Sequence, residues 1–387
     1  MRVLITSPVF PPDLGGPATY VPSLGRFLVN RNHDVRVIAF CSDPAPSGYP
    51  FSVETISRGP LPVRYLKAFW AVFKAAKDCD VVYVNEHLAL LHVLAAKLRG
   101  VPAVIRIMVD GSWEIAHRKG WCGGDDIVTY QSKSYGLRVG VTRALQRTWW
   151  GWCHRIICCS EFLRQILIQN HGVSPDKAQR IFNAYHGPAV EEVKATPDQA
   201  RDQLGLNGDR RYVLTICRLM GWKRVDGIIE ALQGLPEDVD LLVAGDGDME
   251  EAWRKLAAEL GLAGRVHFLG NVPHEQIPLY IRSANVFVLN SEYEGLSHTL
   301  LEVLFLGTPI IASGVCGNPE VVEDGVNGLL VDPGDSSTLH AALARLLADP
   351  DLGDQLVAAG LERRGDFNRE SNFALVEAAL EEACAKG

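Results

Sequence analysis

Two cations follow a short apolar run in Thr215-Ile-Cys-Arg218-Leu-Met-Gly-Trp-Lys223. An arginine offers a planar fork of donors and a lysine a point charge, so the pair suits a diphosphate. The same residues also read as a solvated loop. Further on, Ser291-Glu-Tyr-Glu294-Gly295-Leu-Ser297-His298-Thr299-Leu-Leu-Glu302 joins an apolar run to a helical pattern. The amides of Ser297, His298 and Thr299 would open that helix and face an anion. Glu302, near the same face, has a carboxylate able to accept two ribose hydroxyls. The spacing of Glu294 and Glu302 carries no weight by itself, because Glu251/Glu259 and Glu362/Glu370 repeat it. Two glycine turns complete the set. Gly15-Gly16 lies between a strand pattern and a helix pattern, where backbone can approach a phosphate, and also reads as a plain turn. Gly245-Asp246-Gly247 marks a strand end with a close approach.

These residues need a frame, and the apolar pattern supplies one. Runs at Arg2–Thr6, Val35–Ala39, Val81–Val84, Ala103–Ile107, Arg155–Cys159 and Gln179–Phe182 read as buried strands with helical stretches between them. The rhythm restarts at Tyr212–Cys217 and continues through Asp240–Ala244, Arg265–Leu269, Val286–Leu289, Pro309–Ala312 and Gly328–Val331. Continuous apolar strands with crossover helices predict parallel sheets covered on both faces. The chain of 387 residues suits two such domains, with the polar stretch 187–209 as linker. Its composition, 47% hydrophobic and 22% charged, excludes bulk disorder. No apolar run approaches the about 20 residues of a membrane helix, and the N-terminus lacks the apolar core of a signal peptide. Nine cysteines without a Cys-x-x-Cys pair favour a reduced, cytoplasmic chain over a disulfide framework. The net charge of −8 divides unequally: residues 1–190 carry 22 Lys+Arg and 13 Asp+Glu, while residues 191–387 carry 16 and 33. A basic first half suits an anionic acceptor or an anionic membrane surface at the inner face of the cell membrane; surface drift is the plain alternative.

In this order, Gly15-Gly16, Arg218 with Lys223, Gly245-Asp246-Gly247, the Glu294–Glu302 block and Asn318-Pro-Glu320 through Gly328 resemble the retaining glycosyltransferases of the GT-B fold. This is the group 1 (family 4) type that uses nucleotide sugars. The resemblance is nearly continuous from Tyr212 to Asp332 and collinear, though weaker, from Met1 to Asn183. It implies two Rossmann-like domains with parallel sheets facing across a deep cleft. Residues 1–190 would bind the acceptor and 191–367 the nucleotide sugar, with a helix at about 368–387 packing back on the first domain. It also implies roles. Arg218 and Lys223 would hold the diphosphate and stabilise the leaving group. Glu294 would touch the donor sugar near the reacting carbon, and Glu302 the ribose. Ser297, His298 and Thr299 would cradle the distal phosphate, with Gly15, Gly16 and Gly245 lining the donor site. A hexose would pass from UDP or GDP to an acceptor hydroxyl on a glycan or lipid-linked glycan in cell-envelope or polysaccharide synthesis. No metal is expected, since cations and a helix end supply the electrostatics.

The first half departs from the family pattern. Asp110, in Met108-Val-Asp110-Gly111-Ser-Trp113, stands where many members have a histidine, and an Asp there can still orient a sugar hydroxyl. His87 falls near a family His-x-His but also reads as a helix start. Lys133–Leu167 combines arginines with Trp149, Trp150 and Trp152, which suits either a membrane-facing helix or a crossover helix packed on the sheet. His117, His154 and His171 lie at no metal-ligand spacing. Two rivals remain: a nucleotide-sugar-binding protein without chemistry, and a sugar-nucleotide epimerase on the same frame.

Overall fold

The computed structural model describes residues 1–13, 15–86, 89–187, 192–193 and 195–386. The chain forms two compact units, Met1–Phe182 with Arg369–Gly387, and Asn183–Asn368. The first contains β1 (Arg2–Ser7), β2 (Asp34–Phe40), β3 (Ser52–Ile56), β4 (Val81–Val84), β5 (Ala103–Ile107), β6 (Arg155–Cys158) and β7 (Ala178–Arg180). The second contains β8 (Arg211–Ile216), β9 (Val239–Ala244), β10 (Val266–Gly270), β11 (Val286–Leu289), β12 (Ile310–Ser313) and β13 (Leu329–Val331). Every strand pair is parallel.

Both sheets are wound in two directions from their first strand. The orders are β3-β2-β1-β4-β5-β6-β7 and β10-β9-β8-β11-β12-β13. The order therefore reverses between β1 and β4 and between β8 and β11. At such a point adjacent loops leave the strand ends in opposite directions and open a crevice, the usual ligand site of an open parallel sheet. Gly15-Gly16 follows β1; Arg218 and Lys223 follow β8; Glu294 follows β11.

The sequence pattern misses β3. Its residues alternate from exposed to half-buried before Ile56 closes the strand, because it lies at the edge of the sheet. An edge strand lacks the unbroken apolar run of a central one. The division between units also falls earlier than the polar stretch at 187–209. Asn183 Nδ2 donates to the Leu296 carbonyl at 2.7 Å, and Tyr185 stacks on Phe305 at 4.3 Å, so these residues belong to the second unit.

The helix Arg369–Lys386 belongs to the first unit. Phe373, Val376, Ala379, Leu380 and Ala383 share a core with Val3, Ile5, Leu24 and Leu28. Glu377 fixes its azimuth, accepting from His33 Nε2 at 2.7 Å and from Arg31 at 3.3 Å. On Lys133–Leu167, the tryptophans resolve in favour of packing: Trp149 and Trp150 are buried, and Trp152 lies beneath the Lys97 ammonium. Leu380→Ala should destabilise the first unit by about 2–4 kcal/mol, from lost apolar burial plus a cavity. Urea unfolding followed by far-UV circular dichroism measures it.

Candidate active site at the second switch point

After β8 the chain turns through Arg218 and a short 3-10 turn, Gly221–Lys223, into the helix Val225–Ala231. The neighbouring loop after β9 locks this path. The Cys217 amide donates to Ala244 O at 3.0 Å, the Leu219 amide to Asp246 O at 2.7 Å, and the Met249 amide to Leu219 O at 3.0 Å. Gly245, at φ +128°, lies so close to the Cys217 carbonyl that a Cβ would overlap it. The close approach expected at Gly245 is therefore made to the backbone of the Arg218 loop, and the glycine shapes that loop.

Lys223 is directed across the switch point. Its Nζ meets Glu294 Oε1 at 2.5 Å, and both side chains are 14% exposed. Ser291 Oγ donates to the same oxygen at 2.9 Å. The Glu292 amide, donating to Trp222 O at 2.7 Å, ties the two loops together by backbone as well. An ammonium has three donors, so Lys223 can hold Glu294 and still offer hydrogens to an oxyanion. Arg218 is exposed, and among the described residues no carboxylate pairs with it. Thus one cation is positioned by a carboxylate, and a second, five residues earlier in the same loop, is exposed to solvent.

The β11 loop is buttressed from behind. Ser313 Oγ donates to Ser291 O at 2.5 Å, and Asn318 Nδ2 donates to Ser313 Oγ at 2.9 Å. The Gly317 amide donates to Glu294 O at 3.0 Å. Ser291, Ser313 and Asn318 are all buried, and residue type alone does not distinguish them from other core polar groups. The Asn318-Pro-Glu320 segment shares in the resemblance, but its supporting role emerges only from these contacts.

Gly295 and Leu296 then lead into the helix His298–Leu306, capped by Ser297, whose Oγ accepts the Leu300 amide. The amides of Ser297, His298 and Thr299 precede the first bond of this helix, from Leu301 N to Ser297 O. This end carries the positive pole of the helix. Glu302 lies on the second turn. Burial pushes its carboxyl up to about 7, with no opposing interaction. Among the described residues no hydrogen bond or ion pair offsets this desolvation, a pattern that buried carboxyls at ligand sites often show.

The first unit holds the other sequence candidates. Gly15, at φ +150°, caps the helix Gly16–Asn30 at the end of β1, and both glycines are exposed. His87 lies outside the described residues. Asp110 differs from its expected part. It is fully buried and caps the helix Gly111–Arg118, accepting from the Ser112 and Trp113 amides. Gln146 and Gln131 each donate to it at 2.7 Å, and His171 Nε2 pairs with Oδ2 at 2.9 Å. Burial raises its pKa, but the bonds from His171, Gln146 and Ser112 outweigh that and hold it well below the ordinary carboxylate range. These bonds engage both oxygens, so Asp110 serves its own unit as a buried helix cap and polar hub. No spacing links residues 110 and 171 in sequence.

Two outcomes follow. Asp110→Ala should cost about 3–5 kcal/mol, because it strands a buried partner. His171→Ala should cost less than additively in the double variant, as read in a urea double-mutant cycle. For Glu302, the native state keeps a proton that the unfolded chain releases near its ordinary 4.5. Stability therefore falls as pH rises from that value through about 7. Glu302→Gln should be more stable than the parent at pH 8, by about 2–3 kcal/mol, with most of the difference gone near pH 5; thermal scans at both pH values check it.

Comparisons with known proteins bear on the whole chain. The family described as Glycosyltransferase Family 4 matches residues 14–186, and that described as Glycosyl transferases group 1 matches residues 197–363. An uncharacterised glycosyltransferase of Methanocaldococcus jannaschii is 25% identical, with 90% of each chain covered. A GDP-mannose-dependent phosphatidylinositol monomannoside mannosyltransferase of Mycolicibacterium smegmatis is 33% identical, over 45% of this chain and 49% of its own. The chain thus aligns with about half the length of that relative. Among solved structures, Anabaena HepE in complex with UDP superposes with a TM-score of 0.77 at 21% identity, covering 99% of this chain and all of its own. With two parallel switch-point sheets and matches to both halves, the chain belongs to the group 1, family 4 glycosyltransferases of GT-B fold.

Proposed function

We propose that the chain transfers a hexose, with retention at the anomeric carbon, from a nucleoside diphosphate sugar to an acceptor hydroxyl. One observation carries this reading: the Lys223 ammonium, held by Glu294 at the β8/β11 switch point beside the exposed Arg218. A diphosphate leaving group gains negative charge as its bond to the sugar breaks. Cations already fixed in place stabilise that charge without reorganising at the moment of reaction. Arg218 and Lys223 take the diphosphate, the amides of Ser297, His298 and Thr299 its distal end, and Glu302 the ribose hydroxyls. Glu294, besides holding Lys223, lies where the sugar meets the phosphate. In the retaining reaction the departing phosphate oxygen receives the acceptor proton, so no side chain is required as a covalent nucleophile. The electrostatic work falls to the two cations and the helix end, which supports a metal-independent reaction.

The donor is a UDP- or GDP-hexose. The Anabaena neighbour is in complex with UDP, and the Mycolicibacterium relative is named as a GDP-mannose-dependent phosphatidylinositol monomannoside mannosyltransferase. The basic first half favours an anionic acceptor, a lipid-linked glycan at a membrane surface.

Release of nucleoside diphosphate from UDP-, GDP- and ADP-hexoses, without added metal and with acceptor extracts, tests the reading. Release from one donor that disappears in Glu302→Ala supports it; isomerised donor without release rejects it for an epimerase. Lys223→Ala should lower kcat about 100-fold or more. Because an ionised Glu302 accepts both ribose hydroxyls, nucleotide affinity should rise from about pH 6 to about pH 8 and stay flat in Glu302→Gln, as measured by calorimetry.

A further inference from the structure

We propose that the outer face formed by the helices Leu61–Ala76, Leu90–Leu98 and Leu137–Trp152 is a docking surface for an anionic membrane, with Trp70 at its centre. On the first of these helices, Val63, Leu66, Lys67, Trp70, Lys74 and Lys77 recur at three- and four-residue steps and are all exposed. That places them on one stripe of the helix. Val63, Leu66 and Trp70 are 50%, 55% and 55% exposed, while Ala68, Val72, Ala75 and Ala76 of the opposite face are buried. Large apolar side chains gathered in water call for a cover.

The surface extends over the two neighbouring helices. Arg99, capping Leu90–Leu98, donates to Phe73 O at 2.7 Å and lies 3.7 Å from the Phe73 ring centre. Lys97 of the same helix lies 4.4 Å from the Trp152 ring centre. The three helices therefore form one continuous layer. On the third, Leu137, Val141 and Leu145 stand at four-residue steps and are 83%, 49% and 44% exposed.

Charge selects the occupant. The three helices comprise 16, 9 and 16 residues and hold seven Lys and Arg but no Asp or Glu. At the chain's average of 46 acidic residues in 387, roughly five would be expected. Among the described residues, Lys67, Lys74, Lys97, Arg138 and Arg147 form no ion pair with a carboxylate. In a two-fold dimer built on this face, a second copy would present the same sign of charge, and like charges set against each other repel. Apolar side chains around a tryptophan, ringed by unpaired cations, match the acyl boundary and the anionic headgroups of a lipid leaflet. No helix among the described residues is long and apolar enough to cross a membrane, so the contact is peripheral.

The inference deepens the membrane-acceptor part of the proposed function, and its test uses neither donor nor acceptor, so each can fail alone. The full chain is sedimented with vesicles of phosphatidylcholine and with vesicles in which a third of the lipid is phosphatidylglycerol. Binding only to the anionic vesicles is expected, weakened by half-molar potassium chloride and reduced at least about tenfold in Leu66→Glu/Trp70→Glu and in Lys67→Glu/Lys74→Glu. These positions are exposed, so unchanged unfolding midpoints should confirm folded variants. Lys255→Glu, in the second unit, controls for net charge and should bind as the parent does. No binding of the parent chain to anionic vesicles overturns the proposal, as does equal binding of the parent and both double variants. Self-association of the parent, abolished by Leu66→Glu/Trp70→Glu in the absence of vesicle binding, overturns it in favour of a second copy.

Discussion

The ion pair between Lys223 and Glu294 is the contact on which the arrangement of the second unit's site depends. It joins the loops that leave β8 and β11 at the point where strand order reverses. A lone ammonium on a long side chain would sample many positions. Glu294 holds this one in place, while leaving ammonium hydrogens for a ligand. The cost is a carboxylate near an approaching diphosphate. Ser291 shares that negative charge by donating to the same oxygen, and Arg218 and the helix end add positive potential beside it.

The pair holds its geometry because the backbone beneath it is rigid. The glycine turn after β9 grips the Arg218 loop through three amide bonds, and the absent Cβ of Gly245 permits that grip. On the other side, Ser313 and Asn318 brace Ser291, and Gly317 braces Glu294. Each contact is worth only about 0.5–1.5 kcal/mol net. Together they leave the loops few alternative conformations, which is what a preorganised electrostatic site requires. The first unit spends its buried polar groups differently. Asp110 connects its helix cap to three other helices through Gln131, Gln146 and His171.

Much of this was legible in the residues. The apolar runs located twelve of the thirteen strands, because central parallel strands are buried on both faces and must be apolar throughout. The edge strand β3 escaped for the converse reason. Arg218, Lys223, Glu294 and Glu302 stood out through the ordered set of motifs that carries the family resemblance, since two loop cations or two Glu eight positions apart say little alone. Asp110 misled, since one polar residue after a strand serves equally as a helix cap or a ligand, and only its neighbours distinguish the two. The tryptophans of Leu137–Trp152 left two readings open, because a helix rich in arginine and tryptophan does not state which face turns inward; the structure buries Trp149 and Trp150.

The sequence by itself determined the two parallel-sheet units, the family resemblance and the chemical types at the second switch point. Those follow from local periodicity and residue chemistry, which short stretches of chain contain. The tertiary structure alone decided that Lys223 meets Glu294 across 71 positions and that Asp110 is sealed by His171 across 61. It alone also gathered Trp70 with Lys67 and Lys74 on the exposed stripe of a helix that holds no carboxylate. Contacts between residues far apart in sequence are set by the packing of whole elements, and no local pattern records which side chains that packing brings together.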